Sequence, residues 1–496
     1  MSDNARGLIR SMAIMGTTQT ANIVISIIRL KALALMLGPS GVGLLGVFTN
    51  LLDMVKTAAG LGIGKSGVRQ IASAKRDEIV LSRVSRVLLV AHVVQGAAAM
   101  VAVWIFRAEI SQWLLGDSLY KNEVGLIGVA ILLTLIGTAH TALLQGMRCI
   151  DDLGRVTVYS SLIGTIAGLV AIWFFGESGL IWFIVIQPLA TIIIASKYTK
   201  RLPISKKNIL GTNEVWDIWK PMVKLGAAFM LGGLVTSVTM IIVRQRIIQE
   251  LGLDAAGLFA AAWGISMIYI GLMLSAVSAD YYPRLTEIIT DRNAATKLMN
   301  DQLQILLSIG GPVLLLLIGL APWIITLLYS VEFESGAELL QWMTAGNVFK
   351  LASWPLAFSI VAASRSMTFF LMEVSFNIVF LAIVWLMLPS LGLEVTAIAI
   401  LIGYFIYFLI TYILAYTLQG FRWEVLSIGL FSMHITLALI LLVLALEYPL
   451  YGAILSLLMT LTTGLFGIRV VLKKIGPKGS VATRLIKLYS FIRWPI

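Results

Sequence analysis

Six basic side chains stand inside apolar runs of this sequence: Arg29, Lys31, Lys56, Arg244, Arg246 and Lys350. Three carboxylates stand in comparable positions: Asp53, Asp280 and Glu373. A charge surrounded by hydrocarbon is expensive unless an opposite charge or water meets it. Six cations against three anions leave a positive surplus, which suits an anion brought in from outside. Phosphate fits best, because arginine offers forked hydrogen bonds and lysine a mobile point charge. These six are therefore the candidate substrate-binding residues. The three carboxylates are candidates for ion coupling or gating, through exchange of H+ or Na+.

Plainer readings stand beside these. Asp53 and Lys56 are three apart on a helix and can neutralise each other. Arg29, Lys31, Arg244 and Arg246 lie near helix ends and can anchor at the interface. Residues two apart point in nearly opposite directions, so only one of each Arg-x-(Lys/Arg) pair faces a shared cavity unless the helix bends. Lys350 has no acidic residue within a turn of its own helix, so its partner must come from elsewhere. Glu373 and Asp280 can pair with Arg365 and Arg284. His92, His140 and His434 are scattered singly and read as packed or hydrogen-bonded residues. With three histidines and the single Cys149, neither a disulfide within the chain nor a Cys/His metal site is expected.

The elements that carry these charges are membrane helices. The chain has 496 residues, 59% hydrophobic and 12% charged. Soluble domains carry about 25% charged residues. Apolar runs of about 20 residues, without period-2 alternation, indicate spanning helices and not a β-barrel. They fall near 11–37, 42–63, 84–106, 124–145, 156–175, 178–196, 225–248, 256–279, 303–328, 337–361, 367–388, 393–417, 425–446 and 448–471. That predicts fourteen spans, with twelve as the alternative. Basic residues collect in alternate loops: Lys65, Arg69, Lys75, Arg76, Arg83 and Arg86, then a cluster over 197–224, then a tail after 468. The intervening loops are acidic. The positive-inside rule then places both termini in the cytoplasm. Most of the net charge of +12 reflects topology and attraction to anionic lipid, not nucleic acid. The basic residues ahead of the first apolar run lack a cleavage site, so an uncleaved first span is expected. There is no G-x-x-x-x-G-K-[ST] string and no loop with room for a soluble catalytic domain. No enzyme activity, nucleotide or cofactor is expected; energy would come from an ion gradient, the membrane potential or the substrate gradient.

One pattern repeats. Arg29-Leu-Lys31 precedes Gly38, and Gly43-Leu44 follows; Arg244-Gln-Arg246 precedes Gly252, and Gly257-Leu258 follows. The spacing predicts two six-helix halves of like orientation with a site between them. The expected fold is all-α: two pseudo-symmetric six-helix bundles around a central cavity, plus two C-terminal helices. The expected domains are 1–200, a basic linker 201–224, 225–418, and 419–496 with two extra helices and a basic tail.

Four strings carry a family likeness: "LGPSGVGLL", "ADYYPRLTEI", "GNVFKLASWP" and "LMEVSFN". They resemble the Wzx-type flippases of the multidrug/oligosaccharidyl-lipid/polysaccharide exporter superfamily, across about residues 8–420. The resemblance implies two six-helix bundles around a cavity. It implies an undecaprenyl-diphosphate-linked O-antigen or enterobacterial common antigen unit as substrate, moved to the outer leaflet of the bacterial inner membrane. Partners would be membrane lipids and other glycan-assembly membrane proteins. Lys31, Lys350 and Glu373 fall on matching positions; Arg244 and Arg246 match only across a gap. Three rivals remain. A cation-coupled multidrug antiporter requires an acidic cavity. A glycan polymerase or ligase requires a large outer loop with clustered catalytic residues. A passive scaffold or channel would tolerate loss of the intramembrane charges.

Overall fold

A computed structural model of the chain describes residues 3–204 and 211–475. The side chains of 3–15, 212, 228–229, 272, 275–280 and 475 fall outside that description. Asp280 is therefore not placed, nor are Lys206, Lys207 and the tail residues Lys478, Arg484, Lys487 and Arg493. Among the described residues all regular structure is helical. The main helices are α1 (Asp3–Gly60), α2 (Ile63–Ala74), α3 (Glu78–Ile105), α4 (Arg107–Leu115), α5 (Lys121–Gly146), α6 (Ile150–Phe175), α7 (Gly179–Thr199) and α8 (Thr212–Ile288). They continue with α9 (Arg292–Gly319), α10 (Ala321–Leu328), α11 (Gly336–Ala362), α12 (Ser366–Leu391), α13 (Glu394–Gln419), α14 (Val425–Glu447) and α15 (Pro449–Ile475). In lipid a helix satisfies every backbone group internally, which is why apolar runs of this length choose it.

Ten helical segments among the described residues are long and apolar enough to cross a bilayer. Three of them run 45, 50 and 42 residues, well beyond the ~20 one crossing needs. The protein is a multi-pass membrane protein.

The long helices turn where glycine allows it. Inside α1, Gly38 sits at φ 62°, just before Pro39, and inside α8, Gly252 sits at φ 86°. Both are left-handed backbone positions that favour a residue without Cβ. Polar loops end where an aspartate caps the next helix. Asp77 accepts from the Ile79 and Val80 amides at 2.9 and 3.1 Å, and Asp291 from Asn293 and Ala294 at 3.0 and 3.1 Å.

These features recur along the chain. Gly252 follows Gly38 by 214 residues, and Asp291 follows Asp77 by the same interval. Ser364 follows Arg148, and Gly392 follows Gly176, by 216 residues; all four have positive φ. Helices α3 and α9 are both 28 residues long, and α6 and α12 both 26. Several breaks, caps and helix lengths thus recur at intervals of 214–216 residues or in matching pairs.

The contacts divide the chain into two compact units: residues 1–257 with 328–330, and residues 258–327 with 331–496. In unit 1, α6 lies along α7, and α5 packs on both α3 and α7. Close packing there runs through small residues, as it does in lipid generally. A Cβ on Gly96 would stand 2.9 Å from Leu132, and one on Gly164 2.5 Å from the Gln187 side chain. In unit 2, α11 pairs with α13, and α9 packs on α11, α14 and α15. Asn300 on α9 donates to the Arg422 carbonyl at 2.9 Å and accepts from the Glu424 amide at 3.0 Å and the Ser427 hydroxyl at 2.6 Å. That ties down the start of α14. Thr460 on α15 donates to the Pro312 carbonyl at 3.0 Å, and Lys474 pairs with Asp301. Helices α14 and α15 are therefore held against α9 by polar contacts as well as apolar ones.

Candidate functional site

The two turns of the repeated string meet within unit 1. A Cβ on Gly43 would strike the Leu253 carbonyl and stand 2.9 Å from the Gly257 nitrogen. A Cβ on Gly257 would strike the Pro39 carbonyl and stand 3.0 Å from its Cα. Pro39 follows Gly38 as Leu253 follows Gly252, so the contact is reciprocal. Any side chain at either glycine would force the backbones apart.

The candidate cations then separate by partner. Arg29 on α1 is partly buried. One guanidinium nitrogen donates to the Gln187 Oε1 at 3.3 Å, a second approaches the Ser26 hydroxyl at 3.5 Å, and the group lies 5.4 Å from the Phe183 ring centroid. Gln187 and Phe183 reach it because Gly164 and Gly168 on α6 leave room on α7. Every one of these partners is neutral. Lys31 is also partly buried.

Lys56 forms a 2.5 Å ion pair with Asp53, one turn before it. Both are partly accessible: Lys56 is 32% exposed and Asp53 54%. Lys56 also lines a cavity of about 350 Å³ within unit 1, together with Lys65, His92, Thr138, Thr141 and Gln145. His92 directs Nδ1 at the Leu88 carbonyl, 2.8 Å away. A carbonyl only accepts, so Nδ1 carries the proton and Nε2 is left as the other functional nitrogen. Thr138 and Thr141 spend their hydrogens on the Thr134 and Gly137 carbonyls at 2.8 and 3.0 Å. Their hydroxyls therefore have no free hydrogen to offer a ligand.

On α8, Arg244 is 6% exposed and interacts electrostatically with Tyr329. Arg246 pairs with Glu250 at 2.7 Å. The charge balance drawn from the sequence omits Glu250; with it, six cations face four carboxylates and the surplus falls from three to two. Spacing alone, four residues along one helix, identifies this partner.

Unit 2 holds the second constellation. Lys350 on α11 donates to the Tyr404 hydroxyl at 2.7 Å, and its Nζ stands 3.6 Å from the Met267 sulfur. Tyr404 stacks on Phe376, with centroids 4.4 Å apart and an interplanar angle of 17°. One turn along α13, the Tyr407 hydroxyl donates to the Glu373 Oε1 at 2.6 Å. Among the described residues, no carboxylate lies within 4.0 Å of the nitrogens of Arg29 or Lys350. Gln187, Phe183, Tyr404 and Tyr407 escape a reading by local spacing, because they lie on other helices.

Comparison with known proteins gives this geometry its context. Residues 32–338 match the polysaccharide biosynthesis protein family. The chain is 25% identical over 387 residues to the lipid III flippase of Escherichia coli K12, covering 76% of this chain and 91% of that protein. The lipid III flippase of Shigella flexneri matches equally. Among solved structures, lipid II flippase MurJ in an inward closed conformation superposes with a TM-score of 0.69 at 16% identity, covering 94% of this chain and 99% of that one. An inward-facing multidrug resistance MATE transporter superposes with a TM-score of 0.64 at 16% identity, over 83% and 98%. The helical architecture is thus that of known membrane transporters, and with more than half its length matched, this chain belongs to the polysaccharide biosynthesis protein family.

Proposed function

We propose that this protein flips an undecaprenyl-diphosphate-linked oligosaccharide from the cytoplasmic to the periplasmic leaflet of the bacterial inner membrane. The observation that carries this reading is Lys350: a cation on a largely buried helix, held by a phenol and a thioether and by no carboxylate among the described residues. Such a group has no described carboxylate to compete with an incoming anion. Arg29, with its neutral partners Gln187 and Phe183, is suited to the same task. The similarity to proteins named lipid III flippase supports a lipid-linked glycan as the source of that anion.

In this mechanism the basic residues capture the diphosphate from the cytoplasmic side. The prenyl chain stays in lipid, and alternating access opens the site outward. Glu373, which accepts the Tyr407 hydroxyl, and Asp53 are the candidates for exchange of H+ or Na+. Both termini lie in the cytoplasm, a placement supported by the basic loops around Lys65–Arg86 and Lys197–Lys224. A multidrug antiporter, carrying cations, would gain nothing from Lys350.

Deleting the gene tests the reading. The expected result is a lipid-linked glycan that accumulates on the cytoplasmic face and is cleared by the restored wild type. Lys350→Arg should restore more export than Lys350→Ala. Normal glycan export in the deletion strain, with altered drug sensitivity, would replace the reading with the antiporter.

A further inference from the structure

The Lys350 corner contains a hydrogen-bond donor that no described residue accepts. An ammonium has three N–H donors, and a phenol has one O–H donor and two lone pairs. Lys350 gives one hydrogen to the Tyr404 oxygen at 2.7 Å. A second faces the Met267 sulfur at 3.6 Å, which is a weak acceptor. Tyr404 is the acceptor in this pair, so its own O–H remains to be placed. Among the described residues it donates to nothing. Its side chain is 6% exposed, and its ring is fixed face to face against Phe376. An ammonium hydrogen and a phenol hydrogen thus stand side by side in an apolar helix packing, both without a strong acceptor. Leaving such donors unmet is costly.

Tyr407 shows the contrast within one turn of the same helix. Its hydroxyl is spent on Glu373 at 2.6 Å. Tyr404 and Tyr407 therefore differ in role although they share a residue type, a helix and a face: one has a donor to offer, the other does not.

Two adjacent donors match a group that only accepts and has several oxygens. A sugar hydroxyl, which also donates, would leave its own hydrogen facing an ammonium. A cation is repelled. We infer that Tyr404 is a second anion-binding residue, acting with Lys350 to grip a phosphate ester through two oxygens. The inference rests on the flippase reading for its ligand, the prenyl diphosphate of the carrier lipid. Bulk anionic phospholipid offers the same chemistry with a single phosphate, so the experiment separates the two.

The full chain is placed in phosphatidylcholine nanodiscs, and binding of farnesyl diphosphate and farnesyl monophosphate is measured. Wild type should prefer the diphosphate. Tyr404→Phe should weaken diphosphate binding about five- to tenfold and shrink the diphosphate-to-monophosphate ratio, because one charged-group hydrogen bond is lost. Tyr416→Phe, at an exposed tyrosine of the same helix, should leave both unchanged. A ratio cannot be moved by a general loss of folded protein, so it distinguishes recognition from structure. Equal binding and an unchanged ratio in Tyr404→Phe, or an equal loss in Tyr416→Phe, would overturn the inference. So would a wild type that restores glycan export yet binds neither probe, or that prefers the monophosphate. A wild type that neither binds nor restores export would instead overturn the flippase reading.

Discussion

Lys56 in unit 1 and Lys350 in unit 2 begin as the same sequence feature, a lysine inside an apolar run, and end in opposite environments. Lys56 meets Asp53 on its own helix, 2.5 Å away, beside a cavity of about 350 Å³. Among the described residues Lys350 meets Tyr404 and Met267, from other parts of the fold. The first charge is largely cancelled before any ligand arrives. The second is solvated by a phenol but not cancelled. Formal charges in a membrane segment therefore overstate the charge a ligand can feel. The useful quantity is the cation that lacks a carboxylate, and Arg29, with Gln187 and Phe183, belongs with Lys350 by that measure.

Substitutions can break or sharpen this contrast. The largest effect is expected at Lys350. Removing it with Lys350→Ala should lower glycan export about ten- to hundredfold, since hydrogen bonds to charged groups contribute about 1.5–3 kcal/mol. Export equal to wild type would remove Lys350 from the mechanism. At Lys56 the expected pattern is non-additive. Lys56→Gln alone strands the Asp53 carboxylate, and Asp53→Asn alone strands the ammonium; each should reduce export or folded yield about three- to tenfold. The double variant should return close to wild type, because neither charge is left unmatched. Additive losses in the double variant would make Lys56 a direct ligand contact. The smallest effect is expected at Gln187. Gln187→Ala removes one neutral partner of Arg29, and such bonds between membrane helices average about 0.6 kcal/mol, so export should fall no more than about threefold. A fall as deep as that of Lys350→Ala would mean that Gln187 itself meets the substrate.

Much of the architecture was readable from residue order. Apolar runs of spanning length appear as helices, and Gly38 and Gly252, the shared glycines of the repeated string, are both left-handed breaks. The isolation of Lys350 from acids on its own helix was readable too. So was the pairing of Asp53 with Lys56, one turn apart. Glu250 shows that a local partner can still be overlooked when only loop acids and mid-span acids are counted. Its spacing from Arg246 is sufficient to find it.

The remaining partners could not be read that way. Tyr404 lies 54 residues from Lys350, and Gln187 lies 158 from Arg29. Hydrophobic periodicity is of little help, because a helix in lipid is apolar on every face and does not mark the one that meets its neighbour. The reciprocal contact of Gly43 and Gly257 has the same character. Each glycine was visible, but their meeting was not.

By itself, the order of residues determined that this chain crosses a membrane as helices, where two of those helices break, and which charges stand inside apolar runs. The reason is local: backbone satisfaction in lipid and left-handed glycine geometry depend on neighbours along the chain. Only the tertiary structure decided which of those charges meet a carboxylate and which meet a phenol or an amide, because that depends on helix faces brought together from far apart in the chain.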